Sequence, residues 1–434
     1  MSIAELYILF RQSTGVCTDT RQIGAGNIFF ALKGDHFDGN QFALKALEAG
    51  ARYAVVDAPT AVLDERFILV NDVLSCLQDL ATYHRQQFDI PLIAITGSNG
   101  KTTTKELVSA VMESHYPVHY TKGNFNNHIG VPLTLLAMPL TTEVAVIEMG
   151  ANHRGEIAML CRIARPTHGI ITNIGKAHLE GFGGLEGVKA GKGELYDYLS
   201  QYNGMAFINK KEPFLTEMAQ AVKIKLFYSQ EDQPGLFAFQ LLDDKHFLQV
   251  AFKDYDGRET VVDSQLVGTY NFYNIMTAMA IGVYFKVPAK RIKQAIEAYV
   301  PQNNRSQLMQ WEGHTILLDA YNANPTSMEQ ALQSFGKRQE ARKMAILGDM
   351  LELGPTSEEE HLRIATLAKE ITPQLVLVGK AFALAAAKLG ITHFENVLTL
   401  RAWFMEQTFD DHLILVKASR GIGLERLFKG VGNK

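Results

Sequence analysis

A glycine loop that runs into a lysine and three threonines carries the clearest chemistry in this 434-residue chain. The segment ITGSNGKTTTKE at 95–106 follows an apolar run, and Ile95 stands where the full phosphate-loop pattern has its first glycine. Glycines let backbone N–H groups approach phosphate oxygens, and a following helix adds a favourable dipole. Lys101 would reach the β- and γ-phosphates, and the Thr102 hydroxyl would ligate Mg²⁺. The pattern predicts an ATP site formed by Gly97, Ser98, Asn99, Gly100, Lys101, Thr102 and Thr103.

Polar residues follow two further apolar runs that are typical of buried strands. Glu148 comes directly after the run at 144–147. In a parallel sheet this position faces the crevice outside the carboxyl ends of the strands, where ligands bind. A second group of polar residues follows the run at 315–318 in the same way and consists of Asp319, Tyr321, Asn322 and Asn324.

Two asparagines mark the start of a predicted helix. Asn271 and Asn274 are three residues apart, so they lie on one helix face. Each amide offers a donor and an acceptor, which suits the edge of an adenine base, although a helix-capping pair is the alternative.

The elements that must position these residues alternate between strand and helix along the chain, which predicts an α/β protein with parallel sheets. We expect a small N-terminal α/β domain (1–88), a central ATPase-like domain with the glycine loop (89–302) and a C-terminal Rossmann-like domain (303–434). The candidate strands lie at 27–32, 53–56, 67–70, 91–96, 144–147, 169–172, 315–318, 344–347, 375–378 and 413–416.

Composition narrows the class of protein. Hydrophobic residues make up 47% of the chain, which suffices for several cores, and the net charge of −4 argues against a broad nucleic-acid or anionic-membrane footprint. Three cysteines without a Cys-x-x-Cys spacing indicate neither a disulfide framework nor a zinc site. The apolar runs are too short to span a bilayer. We therefore expect a soluble cytoplasmic protein that binds no nucleic acid and does not insert into membranes.

Several segments together resemble the Mur ligases, the amide-forming ligases that build the peptide of peptidoglycan. Besides the glycine loop these are TKGNFNNHIGVPLT at 121–134, VIEMGANHRGEI at 146–157 and ITNIGKAHLEGFGGLEGVKAGKGELY at 171–196. The stretches DAYNANPTSMEQAL at 319–332 and LGDMLELG at 347–354 resemble the member that joins D-alanyl-D-alanine to UDP-N-acetylmuramoyl-tripeptide. The N-terminal VCTDTRQIGAGNIFFALKGDHFDG at 16–39 resembles the family's domain for UDP-sugars.

The resemblance implies an ATP-dependent ligase that activates a substrate carboxylate as an acyl phosphate and releases ADP and phosphate. Its implied cofactors are ATP and Mg²⁺, and its product serves peptidoglycan synthesis and therefore cell shape and division. A monomer is expected. The third peptide residue stays open between L-lysine and meso-diaminopimelate.

The resemblance also assigns roles to individual residues. Glu148 and His178 would ligate the metals together with Thr102, and Lys192 would join them as a carbamate formed from CO₂; Lys101, Glu148, His178 and Lys192 form the expected catalytic set. The implied nucleotide contacts beyond the loop are Asn271, Asn274 and, on domain closure, Arg305. The implied substrate contacts are Thr20 and Arg21 for the uridine diphosphate, Asn126 and Asn127 for the muramoyl-peptide, and Asp319, Tyr321, Asn322 and Asn324 for D-alanyl-D-alanine and the nucleotide.

Two other functions compete with this interpretation. Folylpolyglutamate synthase shares the phosphate loop and the metal geometry, but its folate-handling segments are not apparent and the N-terminal DTR segment favours a UDP-sugar. A nucleotide-binding scaffold without ligase activity is the second. A relative without catalytic activity would be expected to have lost some of the expected site residues. This chain retains all five of them: Lys101, Thr102, Glu148, His178 and Lys192.

Overall fold

The computed structural model describes residues 1–230, 237–254, 256–340, 342–407 and 411–428. The strands in these ranges form a four-stranded, a nine-stranded and a six-stranded sheet, together with one short hairpin. The three sheets follow one another along the chain and are separated and covered by helices. The predicted α/β fold with three successive sheet domains is therefore present.

The N-terminal sheet is parallel, with the order β1-β2-β5-β6, and β3 and β4 form the antiparallel hairpin. Its first helix begins with a capping box, in which Ser2 and Glu5 satisfy each other's backbone N–H groups. The strands are β1 (Val16–Cys17), β2 (Ile28–Phe30), β3 (Lys33–Gly34), β4 (Phe37–Asp38), β5 (Tyr53–Val56) and β6 (Phe67–Leu69); the helices are α1 (Ile3–Arg11), α2 (Ala43–Glu48) and α3 (Val73–Arg85).

The central sheet has the order β15-β14-β13-β12-β11-β10-β7-β9-β8. It is parallel from β8 to β13, and β14 and β15 are antiparallel. Its strands are β7 (Leu92–Thr96), β8 (Val118–Tyr120), β9 (Val144–Glu148), β10 (His168–Ile171), β11 (Met205–Asn209), β12 (Ile224–Ser229), β13 (Phe237–Asp243), β14 (Gln249–Lys253) and β15 (Glu259–Asp263). Its helices are α4 (Lys101–Glu113), α5 (Gly130–Leu136), α6 (Glu156–Ala164), α7 (Leu179–Phe182), α8 (Leu185–Gln201), α9 (Leu215–Met218), α10 (Thr269–Tyr284) and α11 (Ala289–Ala298).

The C-terminal sheet has the order β16-β17-β21-β18-β19-β20 and is parallel except for β16. Its strands are β16 (Gln307–Trp311), β17 (His314–Asp319), β18 (Lys343–Gly348), β19 (Gln374–Val378), β20 (Thr392–Phe394) and β21 (Leu413–Lys417). Its helices are α12 (Pro325–Lys337), α13 (Ser357–Ile371), α14 (Ala383–Leu389) and α15 (Val397–Glu406). Short 3₁₀ helices lie at Thr20–Gln22, Gly39–Phe42, Pro59–Ala61, Gly354–Thr356, Arg420–Ile422 and Leu424–Phe428.

Burial on both faces of the central strands explains their continuous apolar sequences. Every residue of β7 and β9 is buried. Alternate side chains of β7 pack into two different cores, one shared with α4 and α10 and the other with α3, α6 and α8. This sandwich fixes the strand ends rigidly, and the candidate site lies at those ends. Among the described helices, none combines the length and apolar character required to cross a bilayer.

Candidate active site

Strand pairing brings three of the predicted site segments to one edge of the central sheet. Strand β7 lies between β10 and β9, with Ile171 opposite Thr96 and Ile95 opposite Glu148. The glycine loop, Glu148 and the segment after β10 therefore leave the sheet side by side. This is the crevice outside the carboxyl ends of parallel strands, as the sequence predicted.

Two glycines of the loop are required by the shape of the backbone. Gly97 has φ of 136°, and a Cβ there would lie 2.1 Å from the Thr172 hydroxyl oxygen. Gly100 has φ of 77°, and its Cβ would lie 2.5 Å from Oδ1 of Asn274. A side chain at either position would clash and would strain the backbone.

The segment after β10 holds the loop in place through hydrogen bonds. The Asn99 N–H donates to Oδ1 of Asn173 at 3.0 Å, and the Thr172 hydroxyl donates to the Asn99 carbonyl at 2.6 Å. The Gly175 N–H donates to the Ser98 hydroxyl at 2.9 Å. These three hydrogen bonds fix the loop against the segment after β10.

Lys101 begins α4 and folds back over the loop. Its ammonium donates to the carbonyls of Gly97 at 2.7 Å and Ser98 at 3.1 Å. Burial lowers the pKa of Lys101 to about 8; the carboxylate of Glu148 opposes this lowering, and Arg305 adds to it. These effects show that Lys101, Glu148 and Arg305 share one electrostatic environment.

Glu148 is 1% exposed, and its two carboxylate oxygens differ in their hydrogen bonding. Its Oε1 accepts from Nδ2 of Asn126 at 2.7 Å. Within the described residues, its Oε2 has no hydrogen-bond partner. A buried carboxylate oxygen without a partner is costly, so this atom calls for a cation or a donor from a ligand.

His178 reaches the site from a left-handed turn, with φ of 53°. Its Nδ1 is hydrogen-bonded to a carboxylate oxygen of Glu352, which belongs to the C-terminal domain. Glu352 is also left-handed, with φ of 62°, and its carbonyl accepts the Glu180 N–H at 3.3 Å. The C-terminal domain therefore holds the imidazole in its orientation.

Lys192 is 1% exposed on α8, and its Nζ donates to the Ala151 carbonyl at 3.0 Å. Burial places the pKa of Lys192 well below its ordinary value; the Lys101 cation lowers it further, whereas Glu156 and Glu194 oppose the shift. This lysine can therefore lose its proton more easily than an exposed one.

Asn271 and Asn274 are buried on α10 and bond to each other, with Nδ2 of Asn274 donating to Oδ1 of Asn271 at 2.8 Å. Asn271 also donates to the Val267 carbonyl, and Oδ1 of Asn274 accepts from the Thr104 hydroxyl. The pair joins α10 to α4 behind the loop, at the cavity wall.

The exits of β17 and β21 complete the site from the C-terminal domain. The buried ammonium of Lys417 and the partly buried carboxylate of Asp319 form an ion pair at 2.5 Å. The Arg305 guanidinium lies 3.8 Å from the centre of the Tyr321 ring, and its Nε is buried without a partner among the described residues. A cation and an aromatic ring thus line this side together.

Asn322 and Asn324 shape the turn that follows β17. Oδ1 of Asn322 accepts the Ala323 N–H at 2.9 Å. Asn324 caps α12, and its Nδ2 donates to Oδ1 of Asn99 at 2.7 Å. This last bond connects the C-terminal domain directly to the glycine loop.

A cavity of about 430 Å³ lies between the central and C-terminal domains. Sixteen of the predicted residues line it: Ser98, Asn99, Gly100, Lys101, Thr102, Thr103, Asn126, Asn127, Glu148, His178, Asn271, Asn274, Arg305, Asp319, Tyr321 and Asn322.

Five predicted residues lie outside that lining. Gly97 and Asn324 contact it through Lys101 and Asn99, and Lys192 lies beneath it against Ala151. Thr20 and Arg21 occupy a short turn of the N-terminal domain, where Arg21 pairs with Asp19 at 2.7 Å. The structure therefore does not bring the proposed uridine-diphosphate contacts into the cavity.

The lining also contains residues without a predicted role. Lys417, His128, Tyr270 and Ser306 are among them. Lys417 could have been found, because it directly follows the predicted strand at 413–416, as Asp319 follows the one at 315–318.

Family models match three successive stretches of the chain. They are the Mur ligase family catalytic domain at 12–91, the Mur ligase middle domain at 95–282 and the Mur ligase glutamate ligase domain at 304–420. The UDP-N-acetylmuramoyl-tripeptide–D-alanyl-D-alanine ligase of Bacillus subtilis is 36% identical over 432 residues, which cover 96% of this chain and 92% of that protein. The chain belongs to the Mur ligase family.

Solved Mur ligase structures agree with this assignment along the whole chain. MurF from Acinetobacter baumannii has a TM-score of 0.85 at 29% identity, covering 97% of each chain. MurF ligase from Thermotoga maritima, solved in complex with ADP, has a TM-score of 0.84 at 25% identity, covering 96% of each chain. The resemblance recognised in the sequence and the three-domain fold are both confirmed.

Proposed function

We propose that this chain joins D-alanyl-D-alanine to UDP-N-acetylmuramoyl-tripeptide in the synthesis of the peptidoglycan precursor. It is an ATP-dependent amide ligase, like the Mur ligases that it matches along its whole length. The observation that carries the proposal is the cavity, because it places a phosphate loop opposite polar strand ends of a second domain. ATP and the amine substrate can therefore both reach the carboxylate of the second substrate in this cavity.

Amide formation in water requires activation of the carboxylate, and phosphoryl transfer from ATP supplies it as an acyl phosphate. The triphosphate, the substrate carboxylate and the moving phosphoryl group all carry negative charge, so positioning and cationic neutralisation dominate catalysis. We assign the neutralisation of the phosphates to Lys101, because its ammonium lies on the glycine loop and Arg305 lines the same cavity. The amine attacks the acyl carbon, and phosphate leaves.

The residues present fit Mg²⁺. Oε2 of Glu148 is a buried anionic oxygen without a partner among the described residues, and Thr102 and His178 line the same cavity. Hard oxygen ligands of this kind suit Mg²⁺, which would neutralise phosphate charge when bound. Within the described residues, no three His, Cys, Asp or Glu side chains gather closely enough to hold a metal by themselves. Further oxygen ligands are therefore needed.

We propose that Lys192, as a carbamate formed with CO₂, supplies such oxygens. An ammonium is a poor ligand because it has no lone pair, whereas a carbamate is an anion with two oxygens. The buried position and the lowered pKa of Lys192 favour the neutral amine that attacks CO₂.

The proposed division of labour follows the three domains. Residues 1–88 bind the UDP-sugar through Thr20 and Arg21, 89–302 bind ATP, and 303–434 receive the amine. We assign Asn126 and Asn127 to the muramoyl-peptide, and Asn271 and Asn274 to the nucleotide base. In the C-terminal domain, Asp319, Tyr321, Asn322 and Asn324 face D-alanyl-D-alanine.

We propose that the enzyme acts in the cytoplasm, where ATP is available. We also propose that it acts as a monomer, because one chain supplies both walls of the cavity.

Phosphate release with defined substrate pairs tests the function. Release that requires both UDP-N-acetylmuramoyl-tripeptide and D-alanyl-D-alanine supports the proposal. Release with folate and glutamate would favour the folylpolyglutamate synthase alternative, and no release with either pair would favour a non-catalytic scaffold. Parallel assays with the L-lysine and meso-diaminopimelate tripeptides identify the third peptide residue.

A further inference from the structure

Two guanidinium groups lie near the ring of Tyr321. Arg305 lies 3.8 Å from the ring centre, and Arg420 lies 5.5 Å from it. Tyr321 and Arg305 line the cavity, whereas Arg420 is exposed and lies outside the cavity lining. The ring thus contacts one cation of the cavity lining and one exposed cation outside that lining.

Among the described residues, no acidic side chain neutralises the charge of Arg420. Lys417, the other cation at the exit of β21, is neutralised by Asp319. Lys101 is directed at the carbonyls of its own loop. In the described part of the chain, the Arg420 guanidinium has no ion pair and no hydrogen bond; its only contact of this kind is with Tyr321.

The backbone that carries Arg420 is held rigidly by its neighbour Ser419. The Ser419 N–H donates to the Asp349 carbonyl at 3.1 Å, and the Ser419 hydroxyl accepts the Leu351 N–H at 3.0 Å. The same hydroxyl donates to the Ala323 carbonyl at 3.2 Å. Three strand exits are therefore joined at one buried serine, which fixes Arg420 relative to the Tyr321 turn.

We propose that Arg420 is the specificity-determining residue that binds the carboxylate of the incoming dipeptide. This inference rests on the proposed function, which makes the amine substrate a dipeptide with a free carboxylate. A guanidinium binds a carboxylate with two parallel hydrogen bonds. An extended dipeptide spans about 7 Å, so its amine can extend past Tyr321 into the cavity while its carboxylate stays on Arg420.

The test compares D-alanyl-D-alanine with its C-terminal amide in steady-state phosphate release. We expect the wild-type enzyme to prefer the acid, and Arg420→Ala to raise KM for the acid about tenfold to a hundredfold. The values of kcat and of KM for ATP and for the muramoyl-tripeptide stay near wild type. In Arg420→Ala the preference for the acid over the amide disappears, and Arg420→Lys keeps part of it.

Arg401→Ala, on α15 away from the cavity, is the matched control and keeps the wild-type preference. If Arg420 only supported the ring of Tyr321, Arg420→Ala would raise KM for the acid and for the amide equally. The preference for the acid would then stay intact. If wild type acts on the dipeptide and Arg420→Ala retains the full preference for the acid, this inference is wrong. If wild type shows no release with tripeptide and dipeptide, the proposed function itself is wrong.

Discussion

At the scale of single residues, Lys101 stands closest to the expected phosphoryl transfer. Its ammonium donates to the carbonyls of Gly97 and Ser98, so the backbone of the loop itself positions it. We expect Lys101→Ala to lower kcat by about 10²–10³ or more, because it removes a cation that acts on the transition state. Lys45→Ala on the exposed face of α2 is the control. A near-normal kcat in Lys101→Ala, with an unchanged melting temperature, would refute the assignment.

Lys192 allows a chemical test of the carbamate. An uncharged methyl group at this position supplies no oxygen ligand, so we expect Lys192→Ala to be nearly inactive. Added acetate should partly restore activity, and Lys192→Glu should retain more activity than Lys192→Ala because it carries its own carboxylate. Mass measurement of the native enzyme under CO₂ should show the added carboxyl group. Full activity of Lys192→Ala, together with an unmodified lysine, would contradict the assignment.

The sequence predicted which residues form the site, but it did not predict which distant residues they contact. The glycine loop and Glu148 follow from local pattern, since a loop and a strand end are defined by their own neighbours. Glu352, which holds His178, is 174 positions away along the chain, and no local pattern indicates such a pair. Lys192 shows the same limit, because its burial depends on how α8 packs.

At the scale of elements, the predicted strands were found where both faces are buried. The runs at 91–96 and 144–147 coincide with β7 and β9, and the four runs predicted after residue 303 coincide with β17, β18, β19 and β21. Strands β1, β3, β4, β8, β11 to β16 and β20 were not predicted, although β11 is fully buried. Two of them, β13 and β15, are partly exposed, so their sequences mix polar and apolar residues without a continuous run.

The segment after β10 is the element that joins the two halves of the site. The Lys176 N–H donates to the Thr326 hydroxyl at 3.0 Å, the Lys176 ammonium pairs with Glu360, and Glu352 holds His178. A carboxylate that orients a metal-binding histidine typically contributes about tenfold to a hundredfold in activity.

We therefore expect Glu352→Ala to lower kcat about tenfold or more and Glu352→Gln to lower it less, because glutamine can still hydrogen-bond to the imidazole. Both variants keep the Cβ at this left-handed position, so backbone strain cancels between them. Thermal melting of the two variants checks that the fold is retained. Equal kcat values for wild type and both variants would show that the contact does not orient His178.

At the scale of the whole molecule, polar contacts carry much of the junction between the central and C-terminal domains. They include Asn99 with Asn324, Lys176 with Glu360 and His178 with Glu352. Two domains separate more easily across a polar interface than across an apolar one. Relative motion of domains is therefore expected unless their interface is large and hydrophobic. Product release also requires an exit from the cavity. The three contacts exist only while the two domains lie against each other.

Closure protects the acyl phosphate, because water competes with the amine for that intermediate whenever the cavity is open. We expect small-angle X-ray scattering of the free enzyme to give a larger radius of gyration than the enzyme with a non-hydrolysable ATP analogue and UDP-N-acetylmuramoyl-tripeptide. Ligands should move the value toward the ~22 Å of a compact chain of this length. Lys101→Ala with the same ligands should compact less, because the phosphates lose a cationic partner. An unchanged radius of gyration at saturating ligand concentrations would show that the domains do not close on substrate.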